Sequence, residues 1–344
     1  MVNAIILAGG FGTRLRPLSC TIPKPMFPVL NKPLLNYIIS RMLAQVPNLQ
    51  RVVIAVNYRA NDIKVFMSKW QEEQNVEIIV QEEKRPLGTG GAVAYSKKYL
   101  DDDSFFMLNG DVISFFSYPD MLDYHRKKQA TATISAIHVD DVSRYGVIVA
   151  DDDYLIHEFY EKPNTPELIE KYGIRPINAG TYLLEPEIFD YIPTGRKVSI
   201  EKEVFPQLVE KKVAYKYEFE GVWRDLGLPE DYLQGNFEIL AMETQQKERD
   251  NLIHPSVTIG TGTRIVPPVC LDEGVIIGNN CEIGPNVIMG KDCEVGDGVF
   301  LNQCIFFEDC LIDNFASIEH VIFGDGVKTG RWVRLHGPGV FGSN

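Results

Sequence analysis

Basic charge is scarce in this chain. Its 344 residues carry 34 Lys and Arg against 47 Asp and Glu, a formal net charge of −13. That deficit argues against non-specific nucleic-acid binding, which needs a basic footprint. It is compatible with a small phosphorylated substrate if cations are gathered locally. Cysteine is sparse as well, and none of the six forms a Cys-x-x-Cys pair. Neither a zinc ribbon nor a thioredoxin-like motif is therefore indicated, and reduced, buried thiols of a cytoplasmic protein are expected. No apolar run approaches the roughly eighteen residues of a membrane span. The opening MVNAIILAGG lacks the basic region and cleavage site of a signal peptide and reads as a first buried strand. The histidines are scattered, at 138, 157 and 320 for example, without a Ser or Cys pairing that suggests a nucleophilic triad.

What remains is ordinary globular composition, 45% hydrophobic and 24% charged, in a chain long enough for two domains. Through about residue 240, short apolar runs alternate with amphipathic segments. Ala4–Ala8, Val52–Val56, Val76–Val80, Phe105–Leu108 and Thr133–Ile137 read as strands. Leu34–Val46 has helical apolar spacing, and Ala92–Leu100 and Tyr118–Lys128 fit helices. The alternation implies an α/β domain over 1–240 with a Rossmann-like, mainly parallel sheet. Ligands of such sheets bind beyond the carboxyl ends of the strands, where the first strand meets a glycine loop.

The polar stretch 241–251 reads as a linker or the frayed end of a helix, and after it the pattern changes. Every sixth position from 253 to 307 is apolar, and a companion series from 257 to 311 is mostly small and apolar. A period of six marks a parallel β-helix in which each hexapeptide makes one flat side of a coil. Residues 251–344 are thus expected to form a β-helix, with Cys281 and Cys293 packed inside it.

The chemistry-bearing residues concentrate before residue 240. In Gly9-Gly10-Phe11-Gly12-Thr13-Arg14, the glycines let backbone amides approach phosphate oxygens, and Arg14 and Arg16 add guanidinium donors. Lys24 follows between two prolines, which stiffen the loop presenting its amine. Asp111, just after the strand Phe105–Leu108, and Asp225 in Trp223-Arg224-Asp225-Leu226-Gly227 are candidate carboxylates for a magnesium ion carried on a nucleotide. Asp101-Asp102-Asp103 and Asp151-Asp152-Asp153 read as solvated turns. Glu161-Lys162 before Pro163 offers a carboxylate for sugar hydroxyls and an ammonium for a phosphate, and Asn178 offers an amide.

Together these segments resemble the sugar-phosphate nucleotidylyltransferases, nearest to the mannose-1-phosphate guanylyltransferases with a carboxyl-terminal left-handed β-helix. The likeness rests on GGFGTRLRPLSCTIPKPMFPVLNKP (9–33), RPLGTGGAV, LNGDV, RYGVIV, FYEKP, NAGTYLL, SIEKEVFP, VWRDLGLPEDY and GRWVR. Ser19 stands where threonine is more common. The resemblance implies Mg²⁺-dependent transfer of a nucleotidyl group from an NTP to a sugar 1-phosphate. Gly9, Gly10, Gly12, Thr13 and Arg14 would hold the triphosphate, and Lys24 would offset charge at the reacting phosphates. Asp111 and Asp225 would bind the metal, and Lys162 the sugar phosphate. Gly146, Glu161 and Asn178 would meet the sugar, with Gly88 and Gln81 lining the base pocket. A glucose-1-phosphate uridylyl- or thymidylyltransferase and a catalytically silent nucleotide-sugar-binding subunit are the rival readings. An acyltransferase role is opposed by the shortness of the β-helix and by the lack of motif context around His320 and His336. Because open coil ends need cover, a homo-oligomer formed through the β-helix is expected.

Overall fold

The computed structural model describes residues 2–71, 76–100, 103–162, 166–172 and 175–342. Asp101, Asp102 and Pro163 lie outside the described residues. The chain forms two compact units, Met1–Gly10 with Ile38–Trp223, and Phe11–Tyr37 with Arg224–Asn344.

The first unit is built on a nine-stranded mixed sheet. In chain order its strands are β1 (Val2–Leu7), β2 (Leu49–Val56), β3 (Glu77–Glu82), β4 (Phe105–Asn109) and β5 (Ala132–Ile137). They continue with β6 (Gly146–Ala150), β7 (Ile156–Glu161), β8 (Ile177–Leu184) and β9 (Ala214–Glu218). The spatial order is β7-β6-β8-β4-β1-β2-β3, with β5 paired to β8 and β9 to β5. β1, β2, β3 and β4 pair in parallel, whereas β8 runs antiparallel to β4, β5 and β6. All five expected strands form, and β1 and β4 read as near-continuous apolar runs because they are central and buried on both faces.

Helix α1 (Leu34–Gln45) buries the face that its apolar spacing defines, including Leu34, Leu35, Ile38, Ile39 and Met42. Helix α2 (Ala60–Gln71) was not expected, although its buried Ala60, Ile63 and Met67 lie at helical spacing. The expected helix at 92–100 begins earlier, as α3 (Gly88–Tyr95), and gives way to a short 3₁₀ turn. Helix α4 (Tyr118–Lys128) has its expected bounds. Ser117 Oγ accepts the Asp120 amide at 3.2 Å, and Gln129 ends the helix at φ 50°. The carboxyl ends of the neighbouring strands β1 and β4 lead into Gly9-Gly10 and Gly110-Asp111. The Gly110 amide donates to Leu7 O at 2.9 Å, and a Cβ at 110 would lie 2.8 Å from that oxygen. Only glycine allows the two loops to leave the sheet so close together.

The second unit contains a left-handed parallel β-helix. Its early coils repeat every 18 residues, as in Val269↔Val287 and Glu282↔Phe300. Later coils repeat every 17, as in Met289↔Phe306 and Ser317↔Arg334. The corner Gly284-Pro285-Asn286 explains the change. In the next coil it is replaced by two residues, Asn302 and Gln303, with Gln303 at φ 52°. The inward residues after this corner are Cys304, Phe306, Cys310 and Ile312 rather than 305, 307 and 311. Leu311 points outward instead, and Phe307 packs edge-on against Phe27 (6.0 Å) and Tyr232 (6.3 Å). Cys281 and Cys293 are core residues as expected.

Helix α5 (Pro229–Gln246) runs through the first half of the stretch read as a linker. Its side chains bind the early segment of the chain. Tyr232 OH donates to Pro28 O, Asn236 Oδ1 accepts the Leu30 amide at 3.0 Å, and Tyr37 OH donates to Glu243 at 2.9 Å. These bonds place the lysine loop in the same unit as the repeats.

Candidate active site

In the second unit, Gly12 takes φ 58° and opens the one-turn helix Thr13–Leu15, on which Thr13 and Arg14 stand exposed. A Cβ at Gly12 would lie 3.2 Å from Ser19 Cβ and 3.5 Å from Lys24 Cβ. Chain folding thus sets the glycine loop against the lysine loop. Lys24 is only 8% exposed, and its Nζ lies 3.8 Å from Asp225 Oδ1. Asp225 is fixed from both sides. Arg224 forks onto Glu238 of α5 at 3.0 and 2.6 Å, and a Cβ at Gly227 would crowd the Asp225 carboxylate at 2.9 Å. The unit therefore brings together Gly12, Lys24 and Asp225, three residues spread over more than two hundred positions. Ser19 Oγ, beside Gly12, is buried and has no hydrogen-bond partner among the described residues. A donor held dry next to a phosphate-type loop is suited to an anionic ligand.

In the first unit, Gly9 follows β1 and packs on Asn57, with a 3.6 Å approach between its would-be Cβ and Asn57 Cβ. Asn57 Oδ1 is likewise buried without a hydrogen-bond partner among the described residues. Asp111 sits half-buried just past β4. The β6–β7 pairing sets Gly146 opposite Glu161, and a Cβ at 146 would lie 2.9 Å from Glu161 Oε2. Burial raises the Glu161 carboxyl above the usual range, and adjacent Lys162, 3.7 Å away, opposes that shift. Lys162 itself is exposed and stands at φ 56°, its amide donating to Tyr145 O at 3.1 Å. An ammonium pushed outward beside a buried carboxylate can meet a phosphate while the carboxylate meets hydroxyls.

Asn178 is on β8, beside β6, but both ends of its amide are engaged internally. Its Nδ2 donates to Tyr182 OH at 2.8 Å, and its Oδ1 accepts the Gly180 amide at 3.0 Å. Gln81 is buried, with Nε2 donating to Ser96 Oγ at 2.6 Å. Gly88 takes φ 74° at the start of α3, where a Cβ would strike Val198 O at 2.5 Å.

Several site-shaping residues were not found from sequence. Tyr182, fully buried, hydrogen-bonds to both Asn178 and Asn109, and burial pushes its hydroxyl well above its ordinary range. Trp223 Nε1 donates to Ala179 O at 2.9 Å and its ring meets Tyr145 edge-on at 5.1 Å. Glu201 accepts from Thr89 and Ser199, both at 2.7 Å, fastening the SIEKEVFP segment to α3. All three lie in the quoted segments SIEKEVFP, NAGTYLL and VWRDLGLPEDY, but none of those segments singles the residue out. Among the described residues there is no cluster of three or more His, Cys, Asp or Glu able to cage a metal. Single carboxylates such as Asp111 and Asp225 suit instead a hard cation that keeps waters and rides on phosphates.

A family model described as nucleotidyl transferase matches residues 3–242, and one described as GMPPB C-terminal domain matches 265–344. The chain is 37% identical over 347 residues to a mannose-1-phosphate guanyltransferase of Schizosaccharomyces pombe, covering 100% of this chain and 91% of that one. It is 36% identical over 351 residues to a probable mannose-1-phosphate guanylyltransferase 2 of Arabidopsis thaliana, covering 100% and 92%. The crystal structure of HddC from Yersinia pseudotuberculosis complexed with GMP-PN is similar at a TM-score of 0.58 and 31% identity, covering 70% of this chain and all of that one.

Proposed function

Because the chain belongs to the nucleotidyl transferase family, whose reaction here is transfer of a nucleotidyl group from an NTP to a sugar 1-phosphate, we propose that the nucleotide is GTP and the acceptor mannose 1-phosphate. The products are then GDP-mannose and pyrophosphate. The observation that carries the mechanism is the buried Lys24 ammonium held against Asp225 and beside Gly12. The acceptor oxygen is already anionic near neutral pH and needs no general base to attack the α-phosphorus. The barrier is repulsion between two polyanions. Two like charges 4 Å apart interact by about 4 kcal/mol at an effective dielectric of 20.

The chain's cations and amides answer that repulsion. Gly9, Gly10, Gly12 and Thr13 cradle the triphosphate and Arg14 takes its outer phosphates. Lys24 offsets charge at the reacting group, and Lys162 holds the sugar phosphate, so that the partners stay in line. Glu161, Gly146 and Asn178 shape the sugar pocket, Asn178 through the Tyr182 network, while Gly88 and Gln81 shape the base pocket. Asp111 and Asp225 would hold a divalent cation, magnesium, which when bound neutralises phosphate charge. The six cysteines form no disulfide among the described residues, and Cys20 is exposed, which suits a reducing, cytoplasmic setting. The β-helix would serve to assemble copies of the chain.

The test is a pyrophosphate-release panel pairing GTP, UTP, dTTP and ATP with mannose 1-phosphate and glucose 1-phosphate. GTP with mannose 1-phosphate should give the highest kcat/KM by at least ~10-fold. Preference for UTP or dTTP with glucose 1-phosphate would reassign the substrates.

A further inference from the structure

Within the second unit, the first coils of the β-helix, the end of α5 and the Leu30–Lys32 segment line a cleft of about 800 Å³. In a chain of net charge −13, this lining gathers Lys32, Lys247, Arg249 and Lys291 against one carboxylate, Asp272. Lys247 lies 2.8 Å from Glu243 and Lys291 3.0 Å from Glu273, so half of the positive charge is already matched. Among the described residues neither Lys32 nor Arg249 forms an ion pair within 4 Å, although Lys32 also acts at longer range on the Glu243 carboxylate. The other wall is apolar, with Ile253, 37% exposed, beside Pro255. The buried Cys270 thiol forms part of the lining. Burial, Asp272 and Glu243 push it up to about 12, while Lys247 and Lys32 pull it down, so both ammonium groups act on this spot of the wall together with two carboxylates.

We propose that this cleft binds a small, multiply phosphorylated anion, with its phosphates on Lys32 and Arg249 and its organic part, where it has one, on the Ile253–Pro255 strip. The volume falls within the ~300–1,000 Å³ range of small-molecule sites. Glu243, Glu273 and Asp272 bound the basic patch and oppose a long polyanion such as nucleic acid, which restricts the ligand to a compact one. The cleft shares no residue with the transfer machinery described above, and the inference does not rest on that activity.

The test uses pyrophosphate and GDP as probes, titrated by calorimetry into the whole chain at low ionic strength without divalent metal. Wild type should show two binding events per chain. The double variant Lys32→Ser, Arg249→Ser should lose one of them, with affinity at that event falling at least ~10-fold. Asp272→Asn keeps the oxygen that accepts the Glu273 amide at 2.8 Å but removes the opposing charge. It should tighten the same event ~3- to 10-fold at low salt, an effect that misfolding cannot mimic. Turnover of each variant should stay within twofold of wild type. Superimposable isotherms for wild type and the double variant, or no tightening in Asp272→Asn, would overturn the site. GDP binding more tightly than pyrophosphate supports the apolar strip as the seat of an organic group, and equal binding removes that part of the assignment.

Discussion

Among single residues, Lys24 and Asp111 carry the sharpest expectations. Lys24 is buried, so its ammonium acts in a partly dry setting where charge interactions are stronger than in water. Lys24→Gln and Asp111→Asn should each lower kcat by at least ~100-fold, the order found when one preorganised electrostatic group is removed. Circular dichroism and thermal melting should show the fold retained, and near-normal pyrophosphate release by either variant would refute its role. Gly146→Ala acts differently. Its new methyl would sit 2.9 Å from Glu161 Oε2 and from the Phe159 ring, displacing the carboxylate assigned to the sugar. The KM for the sugar phosphate should rise by ~10-fold or more, with little change in the KM for GTP. The glycine and lysine loops were visible in the sequence because glycine and proline advertise their conformation, whereas the metal roles of Asp111 and Asp225 belong to the proposed function. Tyr182 and Trp223 were not visible in that way. Each looks like one more buried aromatic, and its role comes from partners on other elements, Asn109 and Ala179, which only the folded sheet brings within reach.

For whole elements, the placement of α4 depends on one histidine. His125 is buried, its Nδ1 2.7 Å from Thr133 Oγ1 on β5 and its Nε2 2.9 Å from Glu185 Oε1 just past β8. Ser104, which precedes β4, donates to the same Glu185 oxygen at 2.8 Å. The His125 hydrogen bond, with that of Ser104, holds the Glu185 carboxyl below its ordinary range against the opposing pull of burial and Asp103. A carboxyl whose folded-state pKa is depressed stabilises the fold above its unfolded value, and that contribution is lost as pH falls through the folded value. Glu185→Gln should therefore lower stability by about 1–2 kcal/mol at pH 7, in the range of a hydrogen bond to a charged group. The gap should begin to narrow as pH falls below about 4.3, the ordinary carboxylate value, and close only below the depressed folded value. Urea unfolding at pH 7, 5 and 3.5 reads the gap, and a gap unchanged at pH 3.5 would show that charge is not its source. The β-helix marks where element-level reading ended. Its six-residue period was plain, yet apolar residues at 305, 307 and 311 continued the series past the point where the coil had already shortened. A two-residue corner at Asn302-Gln303 leaves no trace in hydrophobicity, because Phe307 exchanges an interior position for an equally buried one against Phe27 and Tyr232.

For the molecule as a whole, the β-helix presents apolar surface that one chain leaves uncovered. Ile259 belongs to the apolar sixfold series, yet it is 40% exposed, because its strand is the edge of its sheet with no coil before it. Its neighbour strand carries Ile276, facing outward and 49% exposed. An edge strand with unpaired backbone and apolar side chains tends to recruit a partner, and a second copy of the chain is the partner always at hand. The protein is accordingly expected to sediment as a dimer or larger assembly at micromolar concentration. A charge placed in such an apolar contact is desolvated without compensation, so the double variant Ile259→Asp, Ile276→Glu should weaken association by ~100-fold or more. Both positions are remote in sequence from the transfer residues, so turnover per chain should stay within about twofold if assembly only stabilises the β-helix end. A wild-type protein that remains monomeric throughout the micromolar range would remove assembly as the reason for these exposed isoleucines.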